Sequence, residues 1–156
     1  MARVLGIDLG SRRIGVAVSD GLGLTAQPRA TLPRHGGMRD MESIAKVVKD
    51  TDADRIVVGL PLDCEGNEGP AALRARAFAE KLRTTLNLPV ELCDESFSTV
   101  EAEDVLIAAD LSRARRKQVV DKLAAAIILQ RWLDARPSPT EKGRDEQRDE
   151  DRKDNR

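Results

Sequence analysis

The sequence predicts an α/β fold: a mixed central sheet of about five strands with helices on both faces. Three observations carry this. Runs rich in β-branched residues alternate with segments whose apolar residues recur at helical spacing. The first two such runs are joined by a short turn, so a hairpin leads the sheet. RIVVGL, Arg55–Leu60, is apolar throughout, as a strand covered on both faces is.

Arg3–Leu9 (RVLGIDL) reads as the first strand, Gly10–Arg13 as the turn and Ile14–Ser19 (IGVAVS) as the partner strand. Leu24–Leu32 is a third strand, which Pro28 moves toward a sheet edge because it lacks a ladder donor. Asp40–Asp50 places Met41, Ile44, Ala45, Val47 and Val48 at helical spacing. Arg55–Leu60 is the fourth strand and Pro61–Pro70 a polar loop. Ala71–Leu86 is a helix with Leu73, Ala77, Phe78 and Leu82 on its apolar face, and Pro89–Cys93 (PVELC) a short strand. Ser98 and Glu101 form a capping box, so a helix runs from about Thr99 to about Ala109. Leu111–Arg116 is a loop, and Lys117–Ala135 the last helix, stopping before Pro137. The domain is thus 1–135. Residues 136–156 contain no large apolar residue, and their seven basic and seven acidic groups cancel. They are predicted to be a disordered charged tail.

A chain of 156 residues, 40% apolar and 34% charged, can bury a core without disulfides. No apolar run approaches the roughly 18–20 residues that span a bilayer. The opening MARVLGIDLG carries no signal-peptide pattern. Cys64 and Cys93 fit no metal-ligand spacing and read as reduced thiols, so the chain is expected in the cytoplasm, off the membrane. A net charge of −1 means that nucleic-acid binding would need a local basic patch. Phe78, Phe97 and Trp132 are the only aromatic residues, which argues against base stacking on aromatic platforms. The single histidine, His35, lies in the glycine-rich RHGGMRD and reads as a loop residue, which argues against a Ser-His-Asp triad.

Three acids stand among apolar neighbours. Asp8 lies inside the first strand, where an unpaired carboxylate is costly; it fits a turn cap or a metal ligand. Glu95 follows the PVELC strand, and ligands collect at strand ends in α/β sheets, although an exposed loop acid is the plainer reading. Asp121 shares a helix face with Ala124, Ala125, Ile128 and Trp132. An acid serving only a helix N-terminus would sit better exposed, so function is favoured there. The three could converge on one sheet edge. Carboxylates without histidine or cysteine partners suit Mg²⁺ or Mn²⁺, and such a pair of ions hydrolyses phosphodiesters. Arg12 and Arg13 on the first turn, and SRARRK (Ser112–Lys117) before the last helix, are candidate phosphate contacts. The loop GLPLDCEGNEGP, Gly59–Pro70, is not a P-loop.

The motifs GIDLGSRRIGVAVSD, GLPLDCEGNEG, DESFSTVEAE and VDKLAAAIILQRWL occur in one order over residues 1–135. Together they resemble the YqgF, or RuvX, family of RNase H-like nucleases. The resemblance implies an RNase H-like fold and divalent-metal nuclease chemistry, with Asp8, Glu95 and Asp121 as catalytic and metal-binding acids. It implies a role in maturing the 5′ end of pre-16S rRNA, inside ribosomal precursor particles; resolution of Holliday junctions is the alternative. The family usually has arginine after Asp-Glu, and this chain has Ser96. The residues expected to contact nucleic acid are Arg12, Arg13, Asn67, Ser98, Thr99, Arg113, Arg115, Arg116 and Lys117.

Three other readings remain open at this point. A junction-resolving enzyme would favour a two-fold dimer, so monomer or homodimer bears on the choice. A sugar kinase or chaperone-type ATPase also opens its phosphate hairpin with Asp-x-Gly, but closes two domains over its nucleotide. A ribosome-assembly factor could keep the fold without cutting.

Overall fold

A computed structural model describes residues 3–63, 65–95, 104 and 112–136. Among these the order is β1 (Arg3–Leu9), β2 (Arg13–Ser19), β3 (Ala26–Pro33), α1 (Gly37–Thr51), β4 (Ala53–Leu60), α2 (Pro70–Leu86), β5 (Val90–Asp94) and α3 (Arg113–Ala135). Cys64, Ser96, the helix expected from about Thr99 and the tail beyond Arg136 lie outside the described residues.

The five strands form one sheet in the order β3-β2-β1-β4-β5. β1 pairs antiparallel with β2 across the expected hairpin and parallel with β4; β3 is antiparallel to β2 and β5 parallel to β4. β3 is an edge strand, as Pro28 requires, and Arg29 bulges out where Val16 pairs with Ala30 and Ala17 with Pro28. β3 starts at Ala26, not Leu24, because the Asp20 carboxylate caps the preceding turn. It accepts from the Leu24 and Thr25 N–H groups at 2.7 and 3.3 Å.

Side chains alternate across a strand, and that sorts the sheet into two faces. Leu5, Ile7, Ile14, Val16, Ile56 and Val58 form the larger core with Met41 and Ile44 of α1 and Phe78 and Leu82 of α2. Val4, Ala17 and Val57 point the other way, onto Ala125, Ile128, Leu129 and Leu133 of α3. The α3 face is thin. A Cβ at Gly6 would lie 2.7 Å from the Leu129 Cβ and 2.9 Å from the Ala125 carbonyl. A Cβ at Gly15 would overlap the Asp121 backbone carbonyl. The helix lies this close to the sheet because those positions carry no side chain.

Two expectations need correction. Leu73 is 62% exposed and Ala77 also faces solvent. α2 buries Ala72, Ala75, Phe78, Ala79 and Leu82, because the alanines permit close packing on the sheet. Arg113–Arg116 are helical, not loop: Ser112 is the N-cap, its side chain accepting from the Arg115 N–H at 3.3 Å.

Candidate active site

Asp8 lies one residue before the end of β1, on the α3 face and directly across from Gly15. Glu95 follows the last residue of β5. Its N–H donates to the Leu60 carbonyl at 3.2 Å, which carries the β4–β5 pairing one step further. The Glu95 side chain therefore crosses Gly59, where a Cβ would overlap its Oε2.

The Asp8 and Glu95 carboxyls share a hydrogen bond. Burial raises Asp8 above the ordinary carboxylate range; the bond from Glu95 opposes this and the Asp121 charge adds to it. Burial, then the Asp8 charge, the hydrogen bond to Asp8 and the Asp94 charge push Glu95 up to about 8. The pair thus keeps a proton that its burial and mutual repulsion favour, held in the hydrogen bond between Glu95 and Asp8. Among the described residues Glu95 Oε2 is buried without a hydrogen-bond partner. An orphaned buried oxygen costs about 1–3 kcal/mol.

Asp121 lies eight residues after Arg113, in the third turn of α3, so the alternative of an acid serving the helix N-terminus falls away. Gly15 lets its backbone down against β2. Its carboxylate accepts from Arg13 Nε at 2.8 Å. Arg13 leads β2 and shares the face of Gly15, two residues on, so its side chain reaches α3. Among the described residues no three acidic, histidine or cysteine side chains stand close enough to hold a metal ion as they are. The expected three-carboxylate cage is therefore not preassembled. Asp8 and Glu95 are engaged with each other, and a guanidinium holds Asp121.

The expected basic contacts divide. Arg12 is exposed at the tip of the turn that the Gly10 N–H closes onto the Arg13 carbonyl at 2.9 Å. Arg13 is tied to Asp121. Arg113, Arg115, Arg116 and Lys117 occupy the first turns of α3, with Arg115 exposed and Arg116 half-buried. Cations there oppose the helix dipole, so nothing in helix stability calls for them. The contacts of Asn67 close its own loop: its N–H donates to Asp63 Oδ1 at 2.8 Å and its carbonyl accepts from the Asp63 N–H at 3.0 Å. Ser98 and Thr99 lie outside the described residues. His35 is a loop residue whose N–H donates to Asp40, and the half-buried Cys93 is a free thiol that burial pushes up.

Sequence reading missed Gly6, Gly15 and Gly59 as builders of the site. The signal was present: Gly6 and Asp8 are two apart, which puts both on one face of the strand.

A family model described as RuvX, Holliday junction resolvase, matches residues 2–135. The chain belongs to the RuvX family. Curated relatives named "Putative pre-16S rRNA nuclease" support this membership. That of Myxococcus xanthus (strain DK1622) is 50% identical over 137 residues, covering 88% of this chain and 91% of the relative. That of Pelotomaculum thermopropionicum is 51% identical over 138 residues, covering 88% and 90%. Among solved structures, Thermus thermophilus RuvC in complex with a Holliday junction substrate aligns with TM-score 0.55 at 18% identity, covering 86% of this chain and 95% of that one. Fowlpox virus resolvase with its junction DNA aligns with TM-score 0.54 at 12% identity, covering 85% and 97%. These likenesses establish the RNase H-like fold for this RuvX-family chain.

Proposed function

We propose that the chain is a divalent-metal-dependent nuclease that hydrolyses phosphodiester bonds in pre-16S rRNA. The observation that carries this is the buried Asp8–Glu95 pair, with its orphaned oxygen, beside Asp121 on a helix seated by Gly15. The donor set is all oxygen, which suits Mg²⁺ or Mn²⁺. Asp8, Glu95 and Asp121 would hold the metal, which supplies activated water and stabilises the leaving oxygen. Glu95 would serve as a ligand in its ionised form, with the proton it shares with Asp8 released to solvent. Arg13, once released from Asp121, would with Arg12 hold phosphate at the same sheet edge. Arg113, Arg115, Arg116 and Lys117 add phosphate contacts along the helix that carries Asp121.

RNA is favoured as substrate because relatives near 50% identity carry that name over most of their length. The second reading, junction resolution, rests on the description of the family model. The expected setting is the cytoplasm, on ribosomal precursor particles; no helix among the described residues is long and apolar enough to cross a membrane.

The test offers the protein a pre-16S rRNA fragment and a four-way DNA junction, each with Mg²⁺ or Mn²⁺. Cleavage of the RNA alone is expected. Paired symmetric cuts in the junction by a dimer would replace the RNA reading. Binding of either substrate without cleavage by the metal-loaded protein would make it an assembly factor.

A further inference from the structure

On the opposite face of the sheet from the acids, an open groove of about 260 Å³ lies between α1 and α2. Its floor includes Met41 and Phe78 from the larger core. Three cations, Arg34, Arg74 and Lys81, line it against one carboxylate, Asp40. That carboxylate is already satisfied: it accepts from the His35 and Gly36 N–H groups at 2.9 Å each and lies 3.7 Å from Arg34. Among the described residues neither Arg74 nor Lys81 has an ion-pair partner. Met38 and Leu73, one helical turn from Met41 and Ala77, are 54% and 62% exposed. An apolar floor under unpaired cations fits an amphiphilic anion, with a flat base below and phosphate above.

Arg34 joins this groove to the edge that carries the acids. Its Nη1 donates to the Gly10 carbonyl at 2.9 Å, and its N–H to the Arg12 carbonyl at 2.9 Å. Both acceptors belong to the β1–β2 turn beside Asp8. Arg34 thus links the lining of the groove to the turn that follows Asp8.

We propose that the α1–α2 groove holds a nucleotide of single-stranded RNA flanking the cleavage site. This rests on the nuclease reading above and adds a second anchoring point to it.

The probe is a fluorescein-labelled single-stranded RNA dodecamer, titrated in EDTA by fluorescence anisotropy so that no cleavage intervenes. Arg74 and Lys81 are exposed, so the double variant Arg74→Ala/Lys81→Ala should fold. It is expected to bind about tenfold more weakly, with a salt dependence shallower by about 1.4 units of log–log slope. Arg83→Ala, on the same helix but outside the groove, should bind as wild type does. In protein labelled at the methionine methyls, Met38 and Met41 should shift on adding the RNA. Unchanged affinity in the double variant, or no RNA binding at all, would overturn the proposal. So would methyl shifts caused by an acidic peptide but not by RNA, since the occupant would then be a protein. Metal-supported cleavage by the same preparations separates the two readings: wild-type cutting with unchanged binding in the variant removes the groove alone.

Discussion

The Asp8–Glu95 pair gives the metal-free protein a definite pH dependence. Glu95 titrates near 8 in the folded chain, against an ordinary value of 4.5. Between those values the folded state keeps a proton that the unfolded chain has lost, so stability falls as pH rises through this window. In EDTA the melting temperature should drop by about 5 °C or more between pH 5 and pH 8, and Glu95→Gln should remove most of the drop. A wild-type Tm that is flat or rising over that range would contradict the assignment. Arg13 makes a second claim at this scale. An ion pair this exposed is worth about 0–1 kcal/mol, so a divalent ion should displace it readily. Arg13→Gln should therefore tighten Mn²⁺ binding about two- to fivefold by calorimetry, while weakening RNA binding in the presence of metal. Unchanged Mn²⁺ affinity would mean that Arg13 does not compete for Asp121.

α3 is the element on which the site depends, and a glycine in β2 sets its height. Gly15→Ala would drive a Cβ into the Asp121 carbonyl, so the helix must lift or the sheet must bend. A loss of about 3 kcal/mol or more in denaturant unfolding is expected. A loss below 1 kcal/mol would show that α3 is free to shift. This dependence was partly legible in the sequence. Period-two spacing puts Gly6 and Asp8 on one face, and the alanines of Ala124–Ala126 announce close approach. Where α3 begins was not legible, because four cations in its first turns run against the dipole preference that marks a helix start. The exposure of Leu73 was hidden for a related reason: alanines, not the larger residue, define the face of α2 packed on the sheet. The Arg13–Asp121 bond joins residues 108 apart, and no local spacing encodes such a pairing.

For the whole molecule, the strand order brings the ends of β1, β4 and β5 to one edge, and α3 crosses that edge with the third acid. The hairpin, the edge position of Pro28 and the two covered faces could be read beforehand, since each follows from local pattern. The state of the acids could not, since it depends on which carboxyls share a proton in the folded chain. Deleting residues 137–156 should leave both Tm and cleavage rate unchanged, because that segment has nothing large to bury. A lower Tm or a slower rate would show that the segment docks. The most direct test of the account is single-turnover cleavage of an end-labelled pre-16S rRNA fragment with Mn²⁺, comparing wild type with Asp8→Asn, Glu95→Gln and Asp121→Asn, each shown to be folded. Each variant should lose about a thousandfold in rate, about 4 kcal/mol of transition-state stabilisation. Folded variants that cut at the wild-type rate would contradict it.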